Sequence, residues 1–490
     1  MTRFITALLT ITLLAACGGS EASAPDDAVT TTVSASTSTT DPPGDPALSE
    51  FPEAEGLVYG TNGSVEYVTI PATECTYVTS SPIVVDEMLV WSMHDHGHGC
   101  EPRDALSATL LGYDLSTGTL HVLAEGYTGE ATPALVEAEG LLFWNTTFGG
   151  AVQVLDPATF EVIATNEELS VVSDSSGVYL DGTYYFGTIN TPEDNCQDPI
   201  KETCGGLYGM TSDGTIVARL ATEDGFRSWV GAGITTDGEY LYVGGGPQHH
   251  GDSDDEYLYG CSVVKLDASL EVVASFDPGD EGCHRTGAGN ADEDAVAGEI
   301  VISMDGTLWV QFAHAVDDRN TYALFHLDEN LEEMCAFEVE VGPLMAAGYY
   351  QGVTIDAEGN AYVSITVPDG ARRTAELWKV TPDCTGTLLD TAPGQGTSTP
   401  VLADDSVVLF AVSGELRVVS TEGELVAAYE LGTDAPVVSS PVIVDGSIFV
   451  VATDGTVSVI SDAGLEGYGD AWWPRFRHDD SGSGAVNLAG

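Results

Sequence analysis

Eight stretches of this chain are variations on one pattern, and no other feature limits the fold so tightly. "SSPIVVDEMLVWS" from Ser80 and "SSPVIVDGSIFVVA" from Ser439 are near copies. Between them lie "TPALVEAEGLLFWN" from Thr132, "SSGVYLDGTYYFG" from Ser175, "GAGITTDGEYLYVG" from Gly231, "EIVISMDGTLWVQF" from Glu299, "YQGVTIDAEGNAYVS" from Tyr350 and "STPVLADDSVVLFA" from Ser398. Each reads as a short apolar strand, a turn carrying Asp, Glu or Gly, and a second strand with alternating large residues, which is the signature of a β-hairpin.

A third strand and a polar turn follow each hairpin, as in "LLGYDLSTGTLHVL" from Leu110 and "SVVKLDASLEVVAS" from Ser262, and a fourth strand follows the turn. Repetition of such a unit predicts an all-β fold: a single eight-bladed β-propeller of four-stranded antiparallel blades over residues 56–490. A sandwich does not call for near-identical units, and no segment sustains a 3.6-residue apolar period. The last unit runs out after its third strand. "SVEYVTI" from Ser64 is therefore expected to supply the fourth and close the ring.

The first 17 residues, "MTRFITALLTITLLAAC", combine Arg3, an apolar run from Phe4 to Leu14 and small residues before Cys17. This is an export signal, too short to span a membrane. Leu14-Ala15-Ala16-Cys17 resembles the lipobox of bacterial lipoproteins, which implies acylation of Cys17 and a lipid anchor on the exported side of a membrane, periplasmic or cell-surface. Residues 18–55 are rich in Ser, Thr, Ala, Asp and Pro and read as a disordered tether.

Of nine cysteines, Cys17 is set apart, leaving eight. In an exported chain these predict four disulfides. Proximity in sequence favours Cys75–Cys100, Cys196–Cys204, Cys261–Cys283 and Cys335–Cys384. The absence of any CxxC spacing removes the usual zinc-ribbon and thioredoxin signatures. With 14 Lys and Arg against 77 Asp and Glu, the formal net charge is −63. That excludes nucleic acid as a partner, favours a self-repelling monomer and suits a saline exterior.

"SSPVIVDGSIFVVATDGTVSVIS" and the C-terminal "WWPRFRHDDSGSG" from Trp472 resemble the PQQ-like, or quinoprotein-type, β-propeller repeat family. The family includes quinone-dependent dehydrogenases, marked by an Ala-x-Asp-x-x-Thr-Gly-x-x-x-Trp docking motif and a disulfide between adjacent cysteines. Here Asp114-Leu115-Ser116-Thr117-Gly118 leads to Val122 where that motif has Trp, and no two cysteines are adjacent. Neither PQQ nor dehydrogenase activity is therefore expected, and the Asp114 stretch is read as a turn between third and fourth strands.

In a propeller the loops from second to third strand share a face with those from fourth strand to the next blade. "MHDHGHGCEPRD", "TPEDNCQDPIKETC", "GPQHHGDSDDEYLYGC" and "HAVDDRN" are second-to-third loops by this reading, and "GDEGCHRTGAGNADED" is a fourth-to-first loop. His94, His96, His98, His249, His250, His284 and His314 then lie on one face, with three of the four disulfides. Cys335–Cys384 joins neighbouring blades on the opposite face. Zinc or copper would need three or four converging histidines, and Asp252, Asp254 and Glu256 offer calcium oxygens. The alternative is that the same side chains are simply solvated.

Long, cross-linked loops on one face of a rigid frame are a binding surface. The expected function is a cell-envelope lipoprotein acting as a non-catalytic binding or assembly scaffold, with envelope proteins or an extracellular ligand as partners and no cofactor. Its architecture is analogous to the lipoprotein propeller of the outer-membrane barrel assembly machinery. The alternative is a metal-dependent enzyme or hydrolase built on the long-loop face. No nucleophile elbow, Walker loop or HExxH pattern supports a familiar chemistry.

Overall fold

The computed structural model describes residues 51–486 apart from 71–75, 96–108, 126–131, 146–151, 167–174, 189–205, 222–232, 246–261, 278–294, 297, 317–318, 342–351, 370–371, 397, 405 and 462. The strands form eight antiparallel sheets, the blades of a β-propeller, with no helix among the described residues. Blade two shows the plan: Ala134–Val136, Leu141–Asn145, Val152–Leu155 and Val162–Asn166 pair in sequence order.

The tight turns between first and second strands follow from their sequence. Asp181 and Asp445 adopt φ of 49°, and the glycines after them, Gly182 and Gly446, 84° and 78°. This is the left-handed pair that matches the twist of a hairpin. Period-2 alternation then sends large side chains between adjacent blades, where Trp91, Trp144 and Trp309 are fully buried.

Blade eight closes the ring. Its C-terminal strands Val442–Val444, Ser447–Val451 and Val457–Ile460 are completed by Val65–Thr69, with Val65 opposite Ile460 and Val68 opposite Val457. A fifth strand, Val58–Asn62, lies outside it. Phe51 to Ala54, which composition places in the tether, dock against the outer strand of blade one. Ala54 donates its N–H to the Leu120 carbonyl, Val122 donates to Pro52, and the Phe51 ring meets Phe160 at 5.5 Å. An outer strand has unpaired backbone groups, so it takes up a passing extended segment whatever that segment's side chains are.

The recurring Ser-Ser-Pro has a physical basis. The first hydroxyl bonds within its own blade. Ser80 Oγ donates to the Ser92 carbonyl and accepts the Ser92 N–H, both at 2.9 Å, and Ser175 does the same with Gly187. The second hydroxyl accepts from the preceding blade: the Ser440 N–H donates to Ser81 Oγ, Ser81 to Thr132 Oγ1 and Thr132 to Ser176 Oγ, at 2.9, 2.9 and 3.1 Å. Gly352 N–H donates to Thr399 Oγ1 at 2.6 Å in the same way. These bonds lie on the inner wall and tie blade eight to one, one to two, two to three and six to seven.

Two other expectations are resolved on the described residues. Cys335, in the outer strand Glu333–Glu340 of blade five, is disulfide-bonded to Cys384, in the third-to-fourth turn of blade six. The Asp114 stretch is indeed a turn: Asp114 Oδ1 accepts from Ser116 and Thr117 N–H, and Gly118 takes φ 71°. These bonds outweigh the upward effect of burial and hold the Asp114 carboxyl below its ordinary value.

Candidate functional site

The wall of the channel is made of the innermost strands, and these are sheet edges with one row of backbone groups unpaired. The C-terminal segment from Tyr468 to Val486 occupies that row. The chain leaves blade eight at Ile460, which pairs with Ile448 and so lies at the end carrying the first-to-second turns. It then meets the same strand position in one blade after another. Ile355 and Trp473 exchange both backbone bonds at 2.9 and 3.1 Å in blade six, and Leu402 N–H donates to the Pro474 carbonyl at 3.0 Å in blade seven. Val84, Leu135 and Thr236 donate to the carbonyls of Asp480, Ser481 and Gly484 in blades one, two and four, at 2.7, 2.8 and 3.1 Å. Trp472 Nε1 donates to Ile302 in blade five, and the Ile443 N–H of blade eight donates to the Tyr468 hydroxyl.

These wall residues are equivalent by register, since Val84, Leu135, Thr236, Ile302, Ile355, Leu402 and Ile443 each face the corresponding residue of the second strand. Two buried arginines add further bonds, and one of them reaches the remaining blade. Arg475 Nη2 donates to the Pro82 carbonyl at 2.5 Å and its Nη1 to Asp480 at 2.6 Å. Arg477 Nη2 donates to Gly177 of blade three and Nη1 to Ile234 of blade four, each at 2.6 Å. All eight blades are thereby tied to one segment.

Arg477 also faces Glu299, and neither side chain is exposed at all. Its backbone N–H donates to Glu299 Oε2 at 2.8 Å and its Nη1 to Oε1 at 3.2 Å. Burial pushes the Glu299 carboxyl up, and the Arg477 guanidinium pulls it back down. Glu299 stands where Ser81 and Ser440 stand in other blades; Gly233 and Gly352 take that position in blades four and six. A Cβ on Gly233 would lie 2.8 Å from Arg477 Nη1, and one on Gly352 would lie 3.0 Å from Phe476 Cδ2. The hydroxyl ring is broken where the plug needs room and a counter-charge.

Asp479 organises the turn at the plug's centre, accepting from the N–H and hydroxyl of Ser481 and of Ser483. Burial raises this carboxyl, but the bonds from His478, Ser483 and Ser481 outweigh it and hold it well below the usual carboxylate range. The arrangement is a lock. Asp480 pairs with Arg475, Asp479 with His478 and Glu299 with Arg477.

The residues singled out by sequence fare differently. His94 lies in the second strand of blade one, its backbone opposite Tyr77. His314 is not in a loop: Leu308–Val316 and Arg319–Leu327 form a long hairpin with His314 opposite Thr321, because alternation of apolar residues carries the strands past the polar composition. Cys17, Cys75, Cys100, Cys196, Cys204, Cys261, Cys283, His96, His98, His249, His250, Asp252, Asp254, Glu256 and His284 lie outside the described residues. No group of three or more His, Cys, Asp or Glu side chains is placed to hold a metal ion among the described residues. Sequence reasoning missed the plug. Its signal was the pair Arg475 and Arg477 beside Trp472, Trp473 and Phe476, in a chain with only 14 Lys and Arg.

The chain matches no protein-family model and no curated protein. Among solved structures it is similar to BamB from Moraxella catarrhalis, with a TM-score of 0.52 at 13% identity over 82% of this chain and 99% of that one. The computationally designed protein Ika8 gives a TM-score of 0.48 at 12% identity over 80% and 98%. At such identities the likeness to BamB is one of fold, and this chain is an eight-bladed β-propeller of that kind.

Proposed function

We propose that this protein is a cell-envelope lipoprotein whose propeller is a non-catalytic scaffold for binding or assembling envelope proteins. The observation that carries the reading is the plug: one segment bonded to all eight blades makes the ring a rigid platform and fills the axis with the chain's own side chains. A rigid frame whose sequence inserts long segments between the second and third strands of blades one, three and four fits partner binding. The fold likeness to BamB accords with it. The lipobox-like Leu14-Ala15-Ala16-Cys17 supports anchoring.

Cross-linking in native membranes, followed by affinity purification, tests both parts. Wild-type protein should bring down a small, reproducible set of envelope proteins. Cys17→Ser should release folded protein into the soluble exported fraction. Recovery of no cross-linked protein, together with turnover of a small molecule by the purified chain, would overturn the scaffold in favour of an enzyme on the long-loop face.

A further inference from the structure

We infer that the channel of this propeller is a peptide-binding site, occupied in cis by Tyr468–Val486, whose ligand class is a turn-containing peptide carrying a buried arginine. This goes beyond the scaffold role and does not depend on which partner the envelope supplies. Recognition of the segment has the two parts by which strand edges bind peptides, main-chain hydrogen bonds for affinity and fitted positions for side chains. The main-chain part is the repeated wall position, filled at Val84, Leu135, Thr236, Ile355 and Leu402. The fitted part is the break in the hydroxyl ring, where Gly233, Glu299 and Gly352 replace Ser or Thr against Arg477 and Phe476.

The segment is not a piece of any blade, since none of its residues belongs to a named strand. It also holds a conformation that needs a mould. Arg477 and His478 have φ of 63° and 73°, successive left-handed values outside glycine. Such strain persists only where surrounding contacts impose it. The link to blade eight can be cut at Gly464, which is exposed at φ 76° with nothing within 4 Å of an added Cβ, although Ala463 and Gly467 on either side bond to Gly446 and Asp404.

The test uses the full chain with a specific protease site introduced at Gly464 and cut after folding. The cut segment should co-elute with the ring. After its release in moderate urea and return to buffer, a labelled synthetic peptide spanning residues 465–490 should bind in its place. The same peptide carrying Arg477→Met should compete roughly a hundredfold or more weakly, because it leaves Glu299 buried without its cation. A ring that unfolds on cutting, or that fails to take up the peptide, overturns the inference. So does a ring that binds the Arg477→Met peptide as tightly as the unaltered one. Placing the substitution in the peptide leaves the ring's own folding untouched.

Discussion

The Ser440 N–H donates to Ser81 Oγ at 2.9 Å across 359 residues of sequence, so one hydroxyl ties the last blade to the first. Both residues are fully buried. Ser81→Ala leaves a buried N–H unsatisfied at the seam and should cost about 1–3 kcal/mol. Ser81→Thr keeps the acceptor and should recover most of that. Urea unfolding of the two variants checks it, and equal stability of Ser81→Ala and wild type would remove the hydroxyl ring from the account of closure.

The Glu299–Arg477 pair is costly to desolvate and more costly to break. Arg477→Met should lower stability by about 3–5 kcal/mol, since it strands a buried carboxylate and two carbonyl acceptors. Replacing both residues with methionine should be less damaging than the single change. The double-mutant cycle in denaturant gives the coupling directly. Strict additivity would mean that the two side chains act independently in spite of their contact.

Much of the ring was legible because it is written in side chains. Period-2 alternation and Asp-Gly turns recur eight times, and a last unit lacking its fourth strand pointed to residues near Val65. What escaped was written in backbone. Pro52 and Ala54 dock through main-chain bonds that leave no pattern in the residues, and the plug is held at wall positions as unlike as Thr236 and Leu402. Glu299 is one acid among 77 until the fold aligns it with Ser440. His314 was hidden by polar neighbours in a strand whose alternation continues through them.

The Cys335–Cys384 bond spans 49 residues and joins two adjacent blades. Chain-entropy reasoning puts the stabilisation from a loop of that length at about 4 kcal/mol, with less expected in practice. Cys335→Ser with Cys384→Ser should therefore lower the unfolding midpoint without changing the fold. Non-reducing peptide mapping should recover this pair and also Cys75–Cys100, Cys196–Cys204 and Cys261–Cys283. Free thiols at Cys261 and Cys283 would break the proposed assignment of loops to blades.

In sequence, His96 and His98 fall between the second and third strands of blade one, and His249 and His250 between those of blade four, blades three steps apart around the ring. A shared metal requires both loops to fold over the axis; solvated loops require nothing. Elemental analysis of untagged protein separates the two. Stoichiometric zinc or copper lost on changing His249 and His250 to alanine would establish the site, and substoichiometric metal with no thermal shift on addition would leave solvated loops.

Acid should weaken the plug through Asp479. Its folded carboxyl sits well below the ordinary value because hydrogen bonds from His478, Ser483 and Ser481 favour the charged form over the upward pull of burial. A depressed carboxylate contributes stability that is fully present above its unfolded value, about pH 4, and is lost as pH falls towards the folded value. Other depressed carboxylates, Asp114 and Asp328 among them, titrate in the same window, so the informative quantity is the difference between wild type and Asp479→Asn. The variant should be clearly less stable at pH 7, and the gap should shrink steadily below about pH 4 as protonation removes the wild type's advantage. Urea midpoints at a series of pH values measure it. A gap that stays constant down to about pH 2 would show that Asp479 holds its turn by shape and not by charge.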